Sequence, residues 1–396
     1  MSWHIIAFGF LFTLSSAFGQ THFLSLFNAP LREAFSLSHS GIGTLYSVAT
    51  LGSAMLLPWL GRLIDDIDLR YYAGIVISGL AVAAAVMSYA TTWWQLLAAF
   101  FLLRLFGQGL SSHTGFAATA RLSAQGRGKS ISLAGLGMPV GEAISPPLIA
   151  VLLLALSWRE IWRLSALVEL FAVMLLAQWL LRGISTAPPR KMSNTASTTD
   201  TDSWTRRQVL ADSRFWRAAP ALFSPAFIVT ALLFHQHSLA AFKGVDFRLW
   251  SAAIIAYSLS SVCTSLIAGV LVDKWSGARV VRFSLLPIIC ACLVPINLDF
   301  VALPAVYYAL MGMTVGIGVP SVNALWLEMY GAANLGAVRA LAQATMVLFS
   351  AAGPIIYGLL LDANIGWSMI LLLSAAWLGG SSVLLWLTPL TFRKPA

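Results

Sequence analysis

Arg104 is the one cation that the sequence sets deep inside an apolar run. It stands about ten residues beyond Trp94, where that run begins, so at 1.5 Å per helical residue it lies roughly 15 Å in, near the middle of a bilayer core about 30 Å thick. A charge there persists only when it is paired or lines a watery cavity, which makes Arg104 a candidate for holding an anion. Glu142, eleven residues into the antiparallel run that begins near Ile131, reaches about the same depth, so the two side chains can meet. One reading is a buried structural ion pair. The other is an arginine for an anionic substrate with Glu142 as the proton-linked counter-charge. Two histidines, His22 and His237, hold matching places toward the outer ends of their runs, with Gln20, His235 and Gln236 beside them. Histidine changes charge near neutral pH, which suits a substrate-contacting ring or a proton-sensitive gate. The plainer reading is interfacial histidines bonded to water or headgroups. Tyr257 joins His235 and His237 as a residue expected to shape specificity.

These side chains need a membrane scaffold to hold them, and the composition supplies one. Of the 396 residues, 59% are hydrophobic and 10% charged, whereas a soluble domain carries about 25% charged residues. Twelve apolar stretches begin near Ile5, Ser40, Tyr71, Trp94, Ile131, Ile161, Ala218, Leu249, Val280, Val301, Ala337 and Trp367, separated by short polar breaks. The net charge of +9 is distributed by side. With the N-terminus inside, the outer loops hold Arg32, Arg159, Arg163, Lys243 and Arg248, Arg104 lies within a span, and the remaining 18 of 24 Lys and Arg fall on the inner side. The positive-inside rule therefore places both termini in the cytoplasm. A nucleic-acid binder would gather such charge on a folded soluble domain, and the chain has none. The first stretch, followed by Ser15, Ser16 and Ala17, imitates a cleaved signal peptide, but no Lys or Arg precedes it and it runs on apolar through Phe27. Cys263, Cys290 and Cys292 fall within spans as small apolar side chains, with no disulfide framework or metal site implied.

The chain divides into six spans and six. The hydrophilic segment from Arg182 to Arg217, with Pro188, Pro189, Arg190, Lys191 and a Ser/Thr/Asp-rich tract, has the composition of a flexible linker. The expected divisions are an N-terminal bundle over 1–185, a cytoplasmic linker over 186–216 and a C-terminal bundle over 217–396. The halves repeat. Gly61, Leu63 and Asp65 recur at an offset of 208 as Gly269, Leu271 and Asp273; Gly107 and Gly109 recur at 209 as Gly316 and Gly318; Lys129 becomes Arg339 and Pro146 becomes Pro354. His22, Leu24 and Phe27 recur at 215 as His237, Leu239 and Phe242. Arg104 falls opposite Met313, so the charge is not duplicated. A single buried arginine suits one carboxylate-sized group.

Gly61-Arg62-Leu63-Ile64-Asp65 with the trailing Arg70, and Gly269-Val270-Leu271-Val272-Asp273-Lys274 followed by Gly277 and Arg279, resemble the signature loop of the major facilitator superfamily. Arg104-Leu105-Phe106-Gly107-Gln108-Gly109 resembles that superfamily's intramembrane arginine motif. Pro30-Leu31-Arg32-Glu33 and the Gly-Gln-Gly after Arg104 look like the monocarboxylate and oxalate–formate branch. The resemblance implies an all-α membrane protein with twelve transmembrane helices in two pseudo-symmetric six-helix bundles, working by alternating access. It also implies gating by Gly61, Asp65, Arg70, Gly269, Asp273, Lys274 and Arg279. Glycine there allows a tight turn and close helix approach, and aspartate can face another helix's positive N-terminus. A solvated topogenic charge cluster is the alternative for these loops. Asp66 and Asp68 depart from the motif, which expects a basic residue and a glycine, and the proline-glycine pattern of drug antiporters is present only loosely as Gly137, Pro139 and Gly141.

The function expected is secondary transport of a small solute, an organic anion such as a monocarboxylate, by proton coupling or exchange. Arg104, Gln20, His22, Gln108, His235, His237 and Tyr257 are the candidate substrate residues and Glu142 the coupling residue. Glu169 on span six, Gln343 on span eleven, and Asn323, Trp326 and Glu328 near the inner edge of span ten are weaker candidates. The alternatives are an exporter of amphipathic compounds by proton antiport and a non-transporting membrane receptor. No Gly-x-x-x-x-Gly-Lys loop and no His-Glu-x-x-His is present, so no catalytic residue, metal or cofactor is expected. The expected partners are a small-molecule substrate, protons and the lipid bilayer, with no nucleic acid. The chain is expected to act as a monomer in the bacterial inner membrane.

Overall fold

The computed structural model describes residues 3–123, 126–187, 204–331 and 334–391, and their regular elements are all helical. Nine helices among the described residues are long and apolar enough to cross a membrane: His39–Asp65, Leu69–Tyr89, Arg127–Leu152, Ser213–Phe234, Phe247–Trp275, Gly277–Asn297, Leu303–Tyr330, Leu335–Asp362 and Trp367–Trp386. Spans one, four and six of the twelve are helical too, but broken. Span one begins with the shorter apolar helix Trp3–Gly19. Span four joins Trp93–Leu102, a π-helical stretch Leu103–Ser111 and Ser112–Leu122. Span six joins Trp158–Leu167, π-helical Val168–Val173 and Met174–Leu180. Large apolar side chains such as Met55, Trp59, Leu175 and Leu266 are more than half exposed, as a lipid-facing surface requires.

The described residues fall into two compact units: Met1–Met192 with Leu233–Ser238, and Ser193–Leu232 with Leu239–Ala396. Most of the expected linker, including Pro188, Pro189, Arg190 and Lys191, lies outside the described residues. Its end is not irregular, however. Arg206–Ala211 is a helix with a reciprocal Thr205–Gln208 cap, and Trp204 donates its backbone N–H to Tyr330 O at 3.3 Å.

In the first unit the apolar residues of spans one to four and six close on each other around Phe8, Phe12, Tyr72, Val76, Ile77 and Leu105. Span one meets span four without intervening side chains. A Cβ on Gly19 would lie 2.2 Å from Leu103 O and 2.3 Å from Gln108 N, and one on Gly107 would lie 2.7 Å from Gly19 N. Such glycine-on-glycine approach is how membrane helices gain contact where lipid offers no hydrophobic drive. The same approach accompanies the π-helical stretch. Ser111 Oγ donates to Phe106 O at 2.8 Å and Ser112 Oγ to Gln108 O at 2.5 Å, holding carbonyls in the widened turns.

Two expectations about glycine are corrected. Gly61 lies within the helix His39–Arg62 and Gly269 within Ile254–Trp275, and neither has positive φ, so neither makes the turn. A Cβ on Gly269 would meet nothing within 4 Å, so it serves no close helix approach. Gly19→Ala is expected to lower the apparent melting temperature of the purified protein, with a cost of about 1–3 kcal/mol for overpacking against backbone, whereas Gly269→Ala is expected to leave it unchanged or slightly raised. A thermal unfolding series in detergent on both variants checks this contrast.

Candidate functional site

Arg104 sits in the first turn of the π-helical stretch and is 3% exposed. Opposite it, span one stops being helical at Gln20, which is extended (φ −83°, ψ 154°) between Ser16–Gly19 and Thr21–Leu24. A helix end inside a membrane leaves carbonyls without partners. Arg104 Nη1 donates to Gly19 O at 3.0 Å, and its guanidinium lies 5.0 Å from the centre of the Tyr46 ring. Tyr46 is itself fixed, sharing a 2.6 Å hydrogen bond with Thr21 Oγ1 and packing on Phe234 at 4.6 Å between ring centres. Arg104 Nε is buried with no hydrogen-bond partner among the described residues. Gln108 is half-buried in the same stretch, its backbone N–H facing Gly19.

Arg104 and Glu142 do not pair. Glu142 Oε1 lies 3.5 Å from His22 Nδ1, and the histidine is buried, its Nε2 lacking a partner among the described residues. Equal depth brought Arg104 and Glu142 to one level, but depth says nothing of direction around a helix axis. His22 therefore belongs with Glu142, and Gln20 stands at the helix break two residues away. Glu169, in the π-helical turns of span six, is fully buried, with the Ser15 side chain as its polar neighbour.

Three further histidines gather elsewhere. Asn28, Ala29, Arg32, His39, His235, His237 and Ser238, all within the first unit, line a polar pocket of about 160 Å³. Tyr257 lines a cavity of about 470 Å³ inside the second unit. That cavity is mostly apolar, with Phe223, Val229, Trp326 and Met346 on its walls and Thr230, Thr314, Asn323, Arg339 and Gln343 as polar groups.

The first signature-motif loop is held by its backbone carbonyls rather than by its aspartate. Arg121 Nη1 donates to Ile64 O at 2.9 Å and Nη2 to Thr186 O at 2.7 Å, and His113 Nε2 lies 3.1 Å from Gly61 O. Arg70 reaches Leu181 O at 2.8 Å. Asp68, which departs from the motif, caps span three by accepting from Arg70 N and Thr186 Oγ1, each at 2.8 Å. In the second loop Asp273, Lys274 and Arg279 are exposed. Asp65 and Asp273 make no hydrogen bond or ion pair among the described residues, so the helix-terminus contact expected of them is absent from this structure. Glu328 makes that contact instead. Its two oxygens accept from Gly277 N at 2.6 Å and Ala278 N at 2.9 Å, at the start of span nine.

Arg121, Tyr46 and the capping role of Glu328 were missed from the sequence. Arg121 falls opposite Tyr330 at the 209 offset, and only the structure shows that both reach a segment outside their own span: Tyr330 OH donates to Asp212 Oδ2 at 3.2 Å.

The fold and these loops define a polytopic secondary transporter of a small solute. A family model described as Major Facilitator Superfamily matches residues 9–296 and 238–396, and the chain belongs to that family. Among solved structures, a bacterial homologue of the human lysosomal transporter Spinster, inward-facing and unoccupied, superposes with a TM-score of 0.73 at 15% identity, over 98% of this chain and 96% of that one. The same homologue in its occupied form gives 0.73 at 14%, over 100% and 99%. The nucleoside transporter NupG gives 0.76 at 15%, over 98% of each. At these identities the likeness is one of fold. No curated protein matches the chain.

Glu328→Ala removes both acceptors from the span-nine terminus and is expected to cost about 1–3 kcal/mol of stability, with Glu328→Gln costing less because one acceptor remains. Asp273→Asn is expected to leave stability unchanged. Thermal unfolding of the three variants side by side checks the assignment.

Proposed function

We propose that this transporter moves a small organic anion of the monocarboxylate class by alternating access, with Arg104 as the binding charge. One observation supports this above the others: Arg104 is buried at membrane depth and meets a carbonyl and a tyrosine ring, not a carboxylate. A carbonyl oxygen and a ring face stabilise a cation but leave its full charge uncompensated. An anionic substrate supplies the missing charge. The exchange of one carboxylate for another then moves no net charge out of the site.

His22 and Glu142 are assigned to coupling. A buried imidazole 3.5 Å from a carboxylate can hold one proton between two acceptors, and a proton bound there travels with the substrate. Tyr257, Gln343 and Asn323, on the second-unit cavity, are assigned to the apolar and polar parts of the substrate. The loops at Asp65 and Asp273 are assigned to gating. The distribution of Lys and Arg supports an inner-membrane orientation with both termini in the cytoplasm, and a monomer is the working unit.

A second reading, export of amphipathic compounds by proton antiport, draws on the apolar walls of that cavity. Reconstitution separates the two. Proteoliposomes loaded with an unlabelled monocarboxylate are expected to take up the labelled acid by counterflow, whereas the corresponding uncharged amide drives none. Counterflow of hydrophobic cations with none of carboxylates would overturn the anion reading. Glu142→Gln is expected to keep exchange, which needs no net proton movement, and to lose uptake driven by an inward proton gradient. Loss of both activities, or of neither, contradicts the coupling role.

A further inference from the structure

The pocket of about 160 Å³ at the His39 end of span two is not explained by the transport path through Arg104. It lies at the end of span two opposite the Asp65 loop. Four of its lining side chains are cationic or can become so, namely Arg32, His39, His235 and His237, and Asn28 and Ser238 add hydrogen-bonding groups. Among the described residues no carboxylate lines it. We propose that this pocket is a second, outer anion site, which takes one small carboxylate or inorganic oxyanion.

Its walls are built rather than incidental. Arg32 is held by its Nε, which donates to Leu37 O at 3.3 Å, so the guanidinium is positioned at the wall. The segment Leu233–Ser238 is docked into the first unit by two side-chain bonds: Asn28 Nδ2 donates to Phe234 O at 3.1 Å, and Gln236 Nε2 donates to Ser25 Oγ at 2.6 Å. This docking sets His235 beside His39, with ring centres 5.7 Å apart, and His235 against the Phe234 ring at 5.2 Å. His39 is the first residue of a 24-residue helix whose cap is Ser38, so the positive end of the helix faces the same place. Among the described residues no group of three or more His, Cys, Asp or Glu is arranged to hold a metal ion, so the three imidazoles do not form a cation site.

The chemistry follows from the donors. Arginine presents a planar fork of N–H groups that matches a carboxylate or phosphate, and each imidazole becomes a second charged donor as it protonates. Binding of an anion here is therefore stronger at low pH, as His39 and His235 gain charge, whereas burial and the nearby Arg32 lower the pKa of His237 and keep it neutral further down. The groups that face the pocket and control this are Arg32, His39, His235 and His237. The volume admits one small anion and excludes bulky solutes. An anion bound here also joins Asn28 and Arg32 to Leu233–Ser238, so it stabilises the docked form of that segment.

The site is independent of the Arg104 reading, because the two share no residue. It is tested by thermal unfolding of the purified full-length protein in acetate or inorganic phosphate, at constant ionic strength, at pH 6 and pH 8. The wild type is expected to melt at a higher temperature in either anion, with the larger rise at pH 6 in acetate, which is ionised at both pH values. Arg32→Gln and His235→Asn are expected to weaken the apparent affinity about tenfold, the cost of losing one charge-assisted hydrogen bond. Arg104→Gln, which also removes the monocarboxylate site proposed at the inner arginine, is expected to retain the rise in inorganic phosphate. An unchanged rise in Arg32→Gln overturns the proposal, as does a rise in inorganic phosphate abolished by Arg104→Gln alone, which would place the anion at the inner arginine. Where a variant fails to fold, the wild type decides. Diethyl pyrocarbonate labelling of His39 and His237, read by mass spectrometry, is expected to slow in acetate, and equal labelling with and without acetate overturns the site.

Discussion

The hydrogen bond from Arg104 to Gly19 O is the constraint on which the first unit depends. Span one breaks at Gln20, and a break inside a membrane is tolerable only if its carbonyls find donors. Arg104 provides one from a span that approaches through Gly107, with no side chain between the two backbones. The widened turns of Leu103–Ser111 are part of the same arrangement, with serine hydroxyls taking up carbonyls there. One arginine thus closes a helix end and places a cation, facing a carbonyl and a tyrosine ring, inside the span. The structural and functional readings of Arg104 are two aspects of one geometry.

The two units use one scaffold for different ends. The first holds the ionisable groups within its spans: Arg104, the His22–Glu142 pair and Glu169. The second encloses a mostly apolar cavity of about 470 Å³, and in the sequence repeat Met313 stands where the first half has the arginine. Even the duplicated motif loop has diverged. In the first copy an arginine and a histidine hold backbone carbonyls, and in the second a glutamate from span ten caps a helix terminus. Both solve the problem of fixing a short loop at a membrane edge, with opposite charges.

The architecture was legible because hydropathy over about twenty residues is a strong signal, and the repeat offsets gave the division into six and six. The transport function followed from the motif residues. The features that stayed hidden depend on contacts between spans. The break at Gln20 and the π-helical turns arise where Gly19 meets Gly107, which no local pattern announces. The pairing of Glu142 with His22 rather than Arg104 comes from azimuth. One residue more per turn rotates the rest of a helix by about 100°, and depth arithmetic is blind to it. The glycine of the signature loop was misread for a related reason. A motif glycine suggests a turn, but Gly61 and Gly269 lie in helices whose ends come later, and the capping falls to Asp68, Arg121 and Glu328.

Counterflow of a labelled monocarboxylate by Arg104→Gln and Arg104→Lys, each confirmed as folded by gel filtration, is the most direct test of the dual role of Arg104. Glutamine keeps a donor for Gly19 O and loses the charge, so the protein is expected to remain assembled while exchange falls by about tenfold or more. Lysine keeps the charge without the planar fork and is expected to retain part of the exchange. Exchange by the glutamine variant at the wild-type rate would contradict the account.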